Sequence, residues 1–292
     1  MKHILNTINI FCSISKSRLN EINHLLIPSL LKQLSDYRIA LTFINYKADN
    51  TVKKDDIDNN GLEVNILNPS SPLGFGESHN YAFRKIKPKD FFLIINPDVY
   101  MEKRCLNELI CSFSNDVGLV EARQLPFTHP KDLPHKKTFE TNWASGCCLL
   151  ISTKFFRQIN GFDPNFWMYL EDVDLSWQAW INGYKVLQNP KAVVYHYTGV
   201  YFKYSNNSYE LEHFWSIRNF LYISYKYFGD KGLKESLRLT NNTNLQTNIK
   251  KAAIDNFQNF KNKNKIQRIE VPSESRKIIK IHDFNKFSEF PE

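Results

Sequence analysis

Cysteine is scarce and unpatterned. The 292-residue chain has five (Cys12, Cys105, Cys111, Cys147, Cys148), an odd number with no CxxC spacing, and several sit in apolar runs. That argues against a cysteine-built metal module or a disulfide framework and for buried free thiols in a reducing compartment. Long hydrophobic runs are missing too. No window reaches 18 apolar residues, and the opening MKHILNTINIFCSISKSR is too short and too interrupted for a signal peptide or a spanning helix. The expectation is a soluble, cytoplasmic protein. No internal repeat, arginine stripe or RNA-binding signature is present, so nucleic acid is not an expected partner. Acids are in deficit, 30 against 38 Lys and Arg; the net charge of +8 favours anionic partners such as nucleotides or phospholipid head groups.

What is present suffices for a large core. Hydrophobic residues make up 42% and aromatics 14%, a share that suits stacking on flat rings or sugars as well as core packing. Strand-like runs at 4–14, 38–45, 62–67 and 90–96 alternate with helical spacing at 17–34, kinked by Pro28, and at 78–86. This order predicts a doubly wound α/β half that binds a nucleotide. Further on, the pattern predicts a helix at 103–113, strands at 117–122 and 144–151, and a helix at 153–159. An acidic helix follows from near residue 172 to Gly183, then a long aromatic helix over 209–228 closing at Gly229. Beyond about residue 240 the composition turns to Asn, Lys and Gln, and a basic extension is placed over 236–292.

Two acidic turns carry the chemistry. Asn96-Pro97-Asp98 follows the most apolar strand, and an acid at the carboxyl end of a central strand is where α/β folds place ligands. Asp98 is a hard-oxygen ligand suited to a divalent cation. The second turn gathers Glu171, Asp172 and Asp174 beside Trp167-Met168-Tyr169-Leu170. Capping and the positive helix end account for one or two such acids, not for three. His196 ends the run VVYHYTG, and the acids lift it above an ordinary structural histidine. Leu73-Gly74-Phe75-Gly76 and Trp143-Ala144-Ser145-Gly146 are weaker: their glycines permit close approach of a base or phosphate, and Trp143 offers a stacking face.

In order, LGFGESHN, LIINPDV, WASGCCLLI, GFDPNFWMYLEDVDLSW, PKAVVYHYTG and RNFLYISYKYFG resemble the inverting family 2 glycosyltransferases of the GT-A fold, nearest their rhamnosyltransferase-like branch of bacterial O-antigen, capsule and lipopolysaccharide synthesis. The resemblance spans roughly 1–230. It implies a Rossmann-like nucleotide-diphospho-sugar transferase fold with a mostly parallel central sheet and a C-terminal helical extension. The transferase domain would cover 1–235, with a nucleotide-binding half (1–98), an acceptor half (99–205) and a closing helix (206–235). It implies a nucleotide-diphosphate-sugar donor, dTDP-rhamnose first and a UDP-hexose second, with Mg²⁺ or Mn²⁺ as cofactor. The acceptor would be a glycan or lipid-linked glycan, with peripheral contact at the inner face of the plasma membrane through the basic tail. Asp98 and His196 would hold the metal, Asp172 would be the catalytic base and Glu171 its neighbour. Asn45, Gly74, Phe75, Gly76, Asn80, Asn96 and Asp98 would line the donor; Trp143, Gly146, Tyr169 and Asp174 the acceptor. Arg218-Asn219 matches a common pair without an evident role. Two positions depart from the pattern: Ile44 replaces the nucleoside-facing aspartate, although Asn45 and Asp49 fall in matching places, and Gln178 replaces an arginine. A non-catalytic nucleotide- or glycan-binding relative therefore stays open beside the enzyme.

Overall fold

The computed structural model describes residues 7–34, 37–47, 52–126, 135–197 and 206–281, with backbone only at 206–209. Asp49, Thr198 and Gly199 of the sequence motifs lie outside the described residues. One eight-stranded sheet has the order β3-β2-β1-β4-β7-β6-β8-β5. Its first half is parallel: β1 (Thr7–Ile14), β2 (Arg38–Asn45), β3 (Glu63–Leu67) and β4 (Phe91–Ile95). In the second half β7 (Cys148–Ser152) runs antiparallel to β4 and β6 (Val117–Leu125), β6 runs parallel to β8 (Lys185–His196), and β5 (Val99–Met101) runs antiparallel to β8.

The central strands are buried on both faces, as near-continuous apolar runs require. Alternation of side chains divides them: Leu93 and Ile95 of β4 with Leu150 of β7 enter one core, Phe92 and Ile94 with Leu149 and Ile151 the other. The predicted 17–34 helix is broken into α1 (Leu19–Glu21), a wider turn at Ile22–Leu26, and α2 (Ile27–Leu31). Pro28 lies in the first turn of α2, where its missing N–H costs least.

On the other face lie α3 (Phe75–Ile86), α5 (Thr153–Gln158) and α6 (Glu171–Ile181), while α4 (Cys105–Cys111) packs on β8. Two boundaries move. The helix expected at 78 begins at Phe75, so Phe75 and Gly76 are helical rather than in a turn. The strand expected at 144 begins at Cys148, leaving 144–147 as a turn.

The aromatic helix does not stop at Gly229: α7 runs Asn206–Asn241 with a break there (φ 65°, ψ −148°), a conformation glycine tolerates. α8 (Thr247–Lys263) packs along it. Ile249, Ala253 and Phe257 of α8, with Val271 and Ile279, share one cluster with Trp143, Phe166, Val173 and Trp177. Over these residues the basic extension is therefore packed into the cluster that the acidic helix also enters, and the apolar face of α8 is spent on α7. Among the described residues no helix is long and apolar enough to cross a membrane.

Candidate active site

Strand register builds the first half of the site. β4 ends, the Asn96-Pro97-Asp98 turn follows, and β5 pairs with the end of β8 so that Val99 faces His196. This sets Asp98 Oδ1 3.4 Å from His196 Nε2, and the Tyr197 amide donates to the Asp98 carbonyl at 2.9 Å. Asn96 Nδ2 stands 3.4 Å from the same ring nitrogen. On the far side of the ring, Nδ1 is 3.0 Å from Gln124 Oε1, and Gln124 Nε2 donates to Glu121 Oε1 at 3.1 Å. The Glu121 carboxylate only accepts, so the Gln124 amide turns its oxygen to the ring. His196 then carries a proton on Nδ1 and directs Nε2 at Asp98. Burial alone would raise the Asp98 pKa; the hydrogen bond and charge of His196 and the charge of Arg18, 4.0 Å away, bring it below the ordinary carboxylate value.

The second half is the start of α6. Asp172 Oδ1 accepts from the Val173 amide at 2.8 Å and Oδ2 from the Gly146 amide at 3.0 Å. Ser176 Oγ donates to the Asp172 carbonyl at 2.7 Å and accepts from the Ala144 amide at 3.0 Å. The Asn96 amide, in turn, donates to the Cys147 carbonyl at 2.9 Å. The turn at 143–147 thus joins the two acidic stretches, bonded to Asn96 on one side and Asp172 on the other.

The three clustered acids separate by exposure. Asp172 is half-buried; Glu171 and Asp174 are 5% and 3% exposed. Two residues along a helix is about half a turn, so Asp174 faces away from Asp172 and toward α7. Its Oδ1 accepts from Lys226 Nζ at 2.7 Å and from the Tyr227 hydroxyl at 2.8 Å. Asp174 is thus a packing residue here, not part of an acceptor surface. Burial and the neighbouring Asp172 charge push the Glu171 carboxyl well above its usual range, which favours its neutral form. Its Oε2 is buried and has no hydrogen-bond partner among the described residues.

The residues expected to line the donor divide in the same way. A Cβ on Gly74 would come within 2.4 Å of the Trp167 carbonyl oxygen, and one on Gly76 within 2.7 Å of Phe162 Cβ. Close approach of the 162–167 segment accounts for both glycines. Asn80 brackets that segment: its Nδ2 donates to the Phe162 carbonyl and its Oδ1 accepts from the Phe162 amide, each at 2.9 Å. Phe75 packs its ring beside Gly146 and edge-on to His79. Asn45 is 1% exposed and donates to Asn68 Oδ1 at 3.2 Å. Ile44 is fully buried, so the position that departs from the motif is core. Trp143, 5% exposed, belongs to the third core cluster; the exposed aromatic next to the acids is Trp167, 37% exposed and stacked on Trp215.

Tyr169 and Leu170 are consecutive residues with positive φ, 72° and 66°, immediately before Glu171. Asn219 Nδ2 donates to the Met168 and Tyr169 carbonyls at 2.7 and 2.8 Å. Arg218 Nη1 donates to the Asn165 carbonyl at 2.7 Å and to Asn219 Oδ1 at 2.8 Å. This gives the arginine-asparagine pair its role: it holds the loop that leads into the acidic helix. Sequence reasoning also missed Arg18, Gln124 and Lys226, each of which meets the site only through contacts distant along the chain.

Two residues can share a cation, Asp98 and His196. Among the described residues no group of three or more His, Cys, Asp or Glu side chains is arranged to hold a metal. The pair fits a metal whose remaining ligands are water or phosphate oxygens. With Nδ1 protonated, Nε2 faces Asp98 Oδ1 across 3.4 Å either as a proton donor in the charged ring or, in the neutral ring, as a lone pair beside which a cation can be shared.

The family described as the N-terminal domain of galactosyltransferase matches residues 133–202. Rhamnosyltransferase WbbL of Escherichia coli is 25% identical over 161 aligned positions, covering 42% of this chain and 61% of that one. An N-acetylglucosaminyl-diphospho-decaprenol L-rhamnosyltransferase of Mycobacterium tuberculosis is 42% identical over 55 residues, 19% of this chain and 18% of that one. The chain therefore spans less than two thirds of the curated relatives it matches. Among solved structures, a Pyrobaculum calidifontis mannosyltransferase in complex with GDP-Man and Mn²⁺ superposes with a TM-score of 0.55 at 11% identity, covering 88% of this chain and 70% of that one. Staphylococcus aureus TarS 1–349 with UDP-GlcNAc gives 0.53 at 15% identity, over 87% and 72%. The chain has the GT-A glycosyltransferase fold, and its sequence resembles the rhamnosyltransferase-like branch of the family 2 glycosyltransferases.

Proposed function

We propose that this protein is an inverting glycosyltransferase that moves a sugar from a nucleotide-diphosphate donor to a hydroxyl of a glycan acceptor in bacterial surface polysaccharide synthesis. The observation that carries the reading is the placement of the Asp98–His196 pair and the half-exposed Asp172 on either side of one turn. Likeness to two rhamnosyltransferases favours dTDP-rhamnose as donor, with a UDP-hexose second. A lipid-linked acceptor is suggested by the decaprenol of the mycobacterial relative's name.

Asp172 takes the proton of the acceptor hydroxyl as that oxygen attacks the anomeric carbon from the face opposite the departing nucleoside diphosphate. One displacement then inverts the centre. Of the clustered acids only Asp172 has access to solvent, while its carboxylate is oriented by two backbone amides. Mg²⁺ or Mn²⁺, when held by Asp98 and His196, would neutralise charge growing on the leaving diphosphate. Arg18 sets a further positive charge beside Asp98. Buried and shifted toward its neutral form, Glu171 lowers the negative charge crowded around Asp172.

A screen of nucleotide-sugars by mass spectrometry, scoring released nucleoside diphosphate, identifies the donor. With that donor, Asp172→Asn is expected to lower turnover by about 10² to 10⁴-fold while nucleotide binding persists. Activity near that of the parent would remove Asp172 from the base role. Nucleotide binding with no turnover of any donor would favour a non-catalytic relative, the reading that the buried Ile44 keeps alive.

A further inference from the structure

The loop before Asp172 is held from a distance. Its two left-handed residues, Tyr169 and Leu170, are not glycines, and such backbone persists only where its surroundings over-determine it. The bonds that do so come from Arg218 and Asn219, 3% and 0% exposed on α7. Arg218 is itself pinned: its guanidinium lies 4.5 Å from the ring centroid of Phe260 and 5.2 Å from that of Tyr222. Phe260 belongs to α8 and meets Tyr222 edge-on at 5.7 Å. A buried guanidinium against an aromatic face is fixed by quadrupole attraction and packing together. The Tyr222 hydroxyl continues the bracket by donating to Asp163 Oδ2 at 2.8 Å, at the start of the same loop.

We infer that α8, the segment that reads as a basic tail, is a positioning element for the catalytic loop, acting through Phe260 on Arg218 and Asn219. The path runs from the Phe260 ring to the Arg218 fork, then to the Asn165 carbonyl and the Asn219 amide, and from there to the Met168 and Tyr169 carbonyls that precede Asp172. Phe260 and Arg218 reach the loop through its backbone carbonyls, so they are positioning residues, not catalytic ones. Stated as an effect on turnover, the inference rests on the proposed transferase activity; stated as an effect on the loop, it does not.

The test therefore has two readouts on the whole 292-residue chain. Hydrogen exchange of the 165–172 amides reports the loop whether or not an activity exists. Phe260→Ala is expected to raise exchange there by about tenfold, the factor that the loss of one strong cation–ring contact corresponds to, with the strands of the sheet unchanged. Phe260→Leu keeps the apolar bulk without the ring face and should fall between. Arg218→Lys, a single ammonium in place of a fork, should loosen the loop about as much as Phe260→Ala. The second readout uses the donor identified by the screen. These variants should lower kcat with little change in donor KM, because the Asp98–His196 side is not on the path. Parent-like exchange and kcat in both Phe260→Ala and Arg218→Lys would overturn the inference, as would exchange that rises evenly over the whole chain. Faster loop exchange in a protein that turns over no donor would leave the linkage standing and sink the transferase reading instead.

Discussion

Lys226 is the residue whose loss should be felt most. Its ammonium is shared between Asp163 Oδ2 and Asp174 Oδ1, both at 2.7 Å, with side-chain exposures of 7%, 15% and 4% for Lys226, Asp163 and Asp174. Burial would lower the Lys226 pKa, but the two carboxylates carry it above the usual lysine value. Lys226→Met keeps the volume and strands two carboxylates in a pocket closed by Tyr222 and Tyr227. Breaking a buried pair from one side costs about 3–5 kcal/mol, and a domain of this size loses about 2–4 °C of Tm per kcal/mol, so a drop of about 10 °C is expected. The pH dependence follows from the signs. In the parent, the Asp163 pKa is depressed by Lys226 against the cost of burial, so its contribution is present above the ordinary Asp range and lost as acid protonates it. At Asp174, by contrast, burial outweighs Lys226 and holds that carboxyl above its ordinary value, so the two pull the parent's own pH dependence in opposite directions. In the variant both carboxyls lose their cation and their folded-state pKa values rise, so protonation favours the folded form. The Tm gap between parent and variant should therefore be widest near pH 8 and narrow toward pH 4, in calorimetric scans across that range. Lys226→Met with Asp163→Asn and Asp174→Asn should regain most of the loss. A Tm within 3 °C of the parent (about 1 kcal/mol), or a gap that does not change with pH, would refute the argument that this ion triad is held together by mutual need.

Three further outcomes are expected. Gln124→Leu removes the acceptor that fixes the His196 ring, so Mn²⁺-dependent binding of UDP or dTDP should weaken by about 10 to 100-fold in titration calorimetry; unchanged affinity would detach His196 from the metal. Asp98→Asn should make nucleotide binding insensitive to EDTA, and a variant that still responds to the chelator would place the cation elsewhere. Gly74→Ala puts a carbon against the Trp167 carbonyl, and should cost about 1–3 kcal/mol in a thermal melt. A parent-like Tm would show that the 162–167 segment can give way.

Much of the fold was legible because it rests on local patterns. β4 was plain from five consecutive apolar residues, and α6 from its acidic first turn followed by Val173 and Trp177. The alternation of strands and helices carried the fold class. The small residues carry a second role that only the fold supplies. Gly74, Gly76 and Asn80 look like a ligand loop in one dimension, yet they take up contacts with a segment about eighty positions later. Asp174 looked like a third member of the acid cluster, but helix geometry turns it to α7. The tail read as a basic extension because its lysines dominate the count, whereas Ile249, Ala253 and Phe257 recur at helical spacing within it. The Asp98–His196 meeting depends on β5 pairing with β8, a register that no local pattern encodes.

The cysteines provide a last use. Cys12, Cys105, Cys147 and Cys148 are buried, the first two with thiols that burial pushes up, whereas Cys111 sits exposed at the end of α4. A maleimide added to the native protein should accordingly mark one sulfur and leave four silent, so each later gain of label counts an opening of the sheet's own interior. The molecule carries its own unfolding meter, with a single outward handle for a dye or a surface.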